Sequence, residues 1–123
     1  MRVGSMRGVS DVNLLDGREF VMVSSTASVV DPSGPTRFVY EEADGVVWGR
    51  YDGDTVAHGR FVGTRDGDLV ELTYVHVLKS GERTGGRSSS RVESLGDGRL
   101  RLVEEFLFEG DDDPQVSVCE EIR

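Results

Sequence analysis

Apolar and polar positions alternate in short runs along most of this chain. In LVELTYVHVL, residues 69–78, one parity carries Val70, Leu72, Tyr74, His76 and Leu78, and the other carries Leu69, Glu71, Thr73, Val75 and Val77. A period of two is the signature of a strand with one buried face. Asp-Gly at 16/17, 44/45, 52/53, 66/67 and 97/98, with Ser-Gly at 33/34 and 80/81, punctuates these runs as hairpin turns. The pattern predicts strands at 18–30, 36–43, 46–51, 55–65, 68–78, 83–95, 99–109 and 115–122. No helical period with a cap occurs, and turns this short cannot make the crossovers that parallel strands need. Eight strands in one meander leave two open edges unless the sheet closes, and eight is the number whose closed interior holds packed side chains or one small ligand. The expected fold is all-β, a closed up-and-down antiparallel barrel of about eight strands. A two-sheet sandwich is the alternative, and it needs longer crossing connections. Residues 1–17 are polar and irregular, a mobile lead-in or short helix ahead of a single barrel domain at 18–123.

One run breaks the alternation rule. In LRLVEEFLFE, residues 100–109, the apolar face of Leu100, Leu102, Phe106 and Phe108 also carries Glu104, while the other face holds Arg101, Glu105 and Glu109. The carboxylate must therefore aim into the barrel. Its neighbours depend on the hairpin through Gly96-Asp97-Gly98. A two-residue turn would set Arg91 opposite Glu104 and bring Arg87, Ser89 and Arg91 inward. A three-residue turn with Gly98 left-handed sets Ser90 opposite Glu104 and brings Ser88, Ser90 and Val92 inward. Burying hydroxyls costs less than burying guanidiniums, so the second register is expected. The same kind of turn framed on Ser80-Gly81-Glu82 sets His76 opposite Gly86, Tyr74 opposite Ser88 and Leu72 opposite Ser90. His76 then lies about four residues, or roughly 13 Å, along from the level of Glu104, which is out of contact. On strand 36–43 the same alternation turns Phe38 and Tyr40 inward.

Composition narrows the partners. With 123 residues the chain can build one core without disulfides or metals. A net charge of -9 opposes the counterion release that drives nucleic-acid binding and disfavours anionic membranes, so neither is expected as a partner. Cys119 is the lone cysteine, which fits a reducing cytoplasm and a small buried hydrophobe. No run approaches the length of a membrane-spanning helix, and MRVGSMRGVSDVN lacks the apolar centre of a signal peptide, so a cytoplasmic location is expected.

Candidate chemistry is sparse. Ser88 or Ser90, His76 and Glu104 share a face, as a hydrolytic triad would, but their separation and the missing G-x-S-x-G elbow oppose it. His58 and His76 have no H-x-x-x-H spacing and there is no cysteine pair, so no metal and no cofactor is expected. EGDDDP at 109–114 lacks the alternating ligands of a calcium loop and reads as a solvated hairpin loop. Gly85 and Gly86 in RTGGRSSSR open no helix, so they relieve crowding in a coiled strand rather than cradle a phosphate. Trp48, of undetermined parity, is read as a pocket wall, as a packing residue or as a barrel plug.

Four segments carry a family resemblance: FVYEEADGVVWGRYDGDTVAHGRFVG, ELTYVHVLKSGERTGGRSSSRVE, DGRLRLVEEFLF and SVCEEI. Across about two thirds of its length, the chain resembles small, functionally uncharacterised bacterial proteins often carried under the name N-acetylglutamate synthase. The resemblance implies a lipocalin-like or avidin-like barrel. Those relatives look Trp-rich where this chain has Phe106 and Phe108, a change that alters cavity size and removes indole donors. An acetyltransferase feeds a pyrophosphate-binding loop into a helix, and no such strand, glycine loop and helix is found here, so the resemblance carries the fold rather than that activity.

Three functional classes follow. The first is a binding module whose mostly apolar cavity holds a small molecule, with Tyr40, Tyr51, Tyr74, His76, Ser88, Ser90, Glu104 and Phe106 as contacts. The second is an enzyme using Glu104 as general acid or base, with Tyr74 or His76 beside it. The third is a structural protein whose barrel is filled by side chains. The outward face of strand 68–78, with Leu69, Val75 and Val77, is a candidate surface for a homodimer.

Overall fold

The computed structural model describes residues 12–27 and 29–122. Eight strands run in order: β1 (Glu19–Ser25), β2 (Arg37–Ala43), β3 (Val46–Gly53), β4 (Val56–Asp66), β5 (Leu69–Leu78), β6 (Arg83–Ser94), β7 (Leu100–Phe108) and β8 (Gln115–Glu121). Each pairs antiparallel with the next, and β8 returns to β1 to close a barrel. The alternation in the sequence marks these strands to within a few residues, except that β1 stops at Ser25, well short of residue 30. Beyond it the chain crosses to β2 as a loop, where Asp31 accepts the Ser33 N–H at 3.0 Å. No helix long and apolar enough to cross a membrane occurs among the described residues.

Turn chemistry sets the registers. Asp44 (φ 53°) and Gly45 (φ 80°) are both left-handed, which makes the tight two-residue hairpin that Asp-Gly favours. Gly98 (φ 89°) closes the three-residue loop after β6, and Ser90 lies opposite Glu104 with Val92 opposite Leu102, as expected. The Ser-Gly turn departs from expectation. Its left-handed residue is Gly81 (φ 93°), and the Leu78 N–H bonds the Glu82 carbonyl at 2.8 Å, so the loop is Lys79-Ser80-Gly81. Glycine takes the last loop position because that position requires positive φ. The pairing slides by two residues, setting His76 opposite Thr84, Tyr74 opposite Gly86 and Leu72 opposite Ser88.

One end of the barrel is filled. Leu15, Phe20, Val47 and Val70 are fully buried there, with Leu102 beside them. Residues 12–17, within the stretch expected to be a lead-in, fold as successive turns across this end. Leu15 donates its N–H to Glu42 Oε1 at 3.1 Å, Asp16 Oδ1 accepts the Glu42 N–H at 3.0 Å, and Gly17 donates to the Tyr40 carbonyl at 2.9 Å. The rest of that lead-in expectation falls on residues 1–11, outside the described residues. Beneath the plug Glu42 and Arg65 form a buried ion pair, Nε to Oε1 at 2.8 Å.

The outer face carries apolar residues as well. Leu69, Val75 and Val77 are exposed on β5, and Val62 on β4 is more so. Trp48 lies between Glu41 and Val62 in the ladder with 38% of its surface exposed, so it points outward and neither lines the cavity nor plugs the barrel. Val47 and Tyr51 hold the inward parity of β3 instead.

Candidate functional site

Opposite the plug the barrel opens into a cavity of about 270 Å³. Its mouth is formed by strand ends and loops, including Ser25, Thr36, Asp54 and Leu78, and Glu104 and Ser88 stand deeper, with Tyr40 and Leu72. Two glycines shape the aromatic wall. A Cβ at Gly59 would lie 2.4 Å from the Tyr51 ring, and one at Gly49 would lie 2.4 Å from Phe61. Without those atoms both rings lie flat against the sheet, where Phe38 stacks on Tyr51 at 5.1 Å and Tyr40 meets Phe61 at 4.6 Å between centroids. Phe106 and Phe108 pack edge to face at 5.3 Å on the opposite side.

Of the eight residues singled out from sequence, Tyr40, Tyr51, Tyr74, His76, Ser88, Glu104 and Phe106 line this cavity and Ser90 does not. Ser90 is 1% exposed and, although it shares the inward parity of β6 with Ser88, it is not part of the lining. It occupies the ladder position opposite Glu104, yet the hydrogen bond to that carboxylate comes from the other side, where Ser117 Oγ donates to Glu104 Oε1 at 3.0 Å. Ser117 was not among the expected contacts. The signal for it is present in the alternation of SVCEE, which turns Ser117, Cys119 and Glu121 inward together. Thr84 and the wall residue Phe61 were also missed.

Burial raises the Glu104 carboxyl above its usual range, and two hydroxyls pull it part of the way back: that of Ser88, which is close by but outside hydrogen-bond geometry, and that of Ser117, which bonds it. Tyr40, Tyr51 and Tyr74 are held as phenols chiefly by burial, with the charge of Glu104 adding to the effect. Beneath Glu104, Cys119 is likewise kept as a thiol by burial. Burial pushes His76 down, favouring neutral imidazole. Its Nδ1 lies 2.7 Å from the Tyr51 hydroxyl, so in the Nε2–H tautomer it accepts a hydrogen bond from the phenol O–H, and in the other tautomer it donates to the phenol oxygen. His58 is exposed on the outer face and does not converge with His76. Among the described residues, no three of His, Cys, Asp and Glu come together as a metal site.

The polar groups of the interior are incompletely satisfied. Tyr74 Oη, Ser88 Oγ and Ser90 Oγ are buried without a hydrogen-bond partner. Such an atom costs about 1–3 kcal/mol unless something bonds it. Two of the three, on Tyr74 and Ser88, belong to cavity-lining residues. The site therefore offers a carboxyl group and two hydroxyls within aromatic walls.

No curated protein and no solved structure matches the chain significantly. A family model described as avidin-like protein matches residues 13–122, and it lends no support to the synthase name. The match spans all eight strands together with the plugging Leu15, so the chain belongs to the avidin-like family.

Proposed function

We propose that this barrel binds a compact, largely apolar small molecule, with the polar end of the ligand at Glu104, Ser88 and Tyr74. The observation that carries the reading is the pair of buried, unpartnered hydroxyls on Tyr74 and Ser88, beside a carboxyl group held by Ser117, in a cavity of about 270 Å³. A ligand supplies the missing bonds and covers the aromatic wall. Membership of the avidin-like family supports the same reading, because such barrels typically bind small molecules. A void of this size also weighs against a barrel filled by side chains. The acid–base reading lacks a partner for Glu104: its hydrogen bond is to Ser117, and that of His76 is to Tyr51. Assembly as a homodimer through the exposed Leu69, Val75 and Val77 accompanies this proposal.

A thermal-shift screen of metabolite-sized compounds tests it. Hits should raise the melting temperature, as any ligand specific to the folded state does. Ser88→Leu, which fills the deep end with an apolar group, should abolish those shifts while the protein stays folded. A folded protein that no compound stabilises, or hits that survive Ser88→Leu unchanged, would remove the proposal.

A further inference from the structure

Among the described residues, the cavity is lined by two carboxylate residues, Glu104 in its depth and Asp54 at its mouth, by one histidine, and by no lysine or arginine. Three arginines of the barrel are engaged away from it: Arg65 with Glu42 at the plug, Arg18 with Glu121, and Arg101 with Glu93. The groups that face or electrostatically reach Glu104 are Ser88 and Ser90 from β6, Ser117 and Cys119 from β8, and the phenols Tyr40, Tyr51 and Tyr74 from β2, β3 and β5. None of them supplies a positive charge, and burial keeps His76, on β5, neutral. An anionic ligand would bring a second negative charge into a poorly solvated space with no counter-charge. A cation supplies what the carboxylate lacks, and the surrounding ring faces attract it further.

Resting on the small-molecule reading above, we infer that the cavity selects an organic cation, a protonated amine or amidinium on a flat or short apolar body. Its N–H donors reach the Glu104 carboxylate and the oxygen atoms of Ser88 and Tyr74. Its apolar body lies against Phe38, Phe61 and Phe106.

Three probes of one shape and different charge test this: benzamidinium, benzamide and benzoate, titrated calorimetrically into the full chain at neutral pH. Benzamidinium should bind about tenfold or more tighter than benzamide, a gap of about 1.4 kcal/mol, and benzoate should be weakest. In Glu104→Gln the two leading affinities should converge, through loss for benzamidinium with benzamide retained. Benzamide binding as tightly as benzamidinium in the wild type, or benzoate binding best, overturns the cation inference and leaves the small-molecule site standing. A cation preference that survives Glu104→Gln overturns the part assigned to Glu104. Should that variant fail to fold, the wild-type ranking decides alone. If none of the three binds, the charge of the screening hits decides: anions among them overturn the inference, cations sustain it, and the absence of any hit removes the underlying site as well.

Discussion

Glu42 and Glu104 both point into this barrel, and their surroundings differ. Glu42, at the plugged end, pairs with Arg65 at 2.8 Å and accepts the Leu15 N–H, with its side chain 1% exposed. Glu104, at the open end, accepts a hydrogen bond from Ser117, and the neighbouring hydroxyls of Ser88 and Ser90 are without partners. Buried charge is normally paired, so the first carboxylate is part of the architecture. The second has been placed in a similar enclosure without the pairing. The contrast separates a group that holds the fold from one that is free to hold something else.

The largest effect should come from breaking the complete pair. Arg65→Met leaves Glu42 charged beneath the plug with no cation, and should cost about 3–5 kcal/mol in the denaturant-induced unfolding free energy. A loss under 1 kcal/mol, on the scale of a surface ion pair, would dissolve the contrast between the ends. A smaller change of opposite sign is expected at the other carboxylate. Because folding raises the Glu104 pKa, the folded state binds more protons than the unfolded state once pH passes the ordinary value of 4.5, and stability falls as pH rises toward the folded value. Glu104→Gln lacks that component, so its stability relative to wild type should grow with pH across this window and then level off. A constant difference between the two proteins across the titration would show that Glu104 is not the strained group described. The smallest effect is expected outside the barrel, where Val75→Ser should change the stability of the monomer by no more than about 0.5 kcal/mol. A fall in mass by sedimentation on that substitution would identify the β5 face as covered by a second copy.

The Glu104 half of this contrast is legible in the sequence, and the Glu42–Arg65 pair is not. The period of two around Glu104 turned it inward, and the lower cost of burying hydroxyls than guanidiniums selected the three-residue turn, which requires a left-handed glycine at its third position, Gly98, and with it the Ser90 pairing. The same requirement read at Gly81 gives the observed Lys79-Ser80-Gly81 loop, so the slip in the His76 pairing came from framing the turn with glycine in its middle. Other features depend on distant parts of the chain. Ser117 reaches Glu104 through a register set by the loop after Phe108, and a polar loop of that length fixes no register by itself. Leu15 lies in a polar stretch without strand or helix period, and its burial is specified by Glu42 and Tyr40, more than twenty residues away. Trp48 was ambiguous because Val46, Val47 and Trp48 put apolar residues on both parities of β3.

The pairing of β8 with β1 is the one contact in the ladder that does not join neighbours in sequence. Each other pairing is a hairpin and forms locally; this seam closes only when the two ends of the barrel meet, with Ile122 N–H bonding the Glu19 carbonyl at 2.9 Å. The cavity is divided across it, since Met22 and Ser25 come from β1 while Ser117, which holds Glu104, comes from β8. Zipping the seam and completing the chamber are therefore one event. Any occupant that needs the whole chamber acts as a latch on the zipper, slowing its opening in proportion to how tightly it is held.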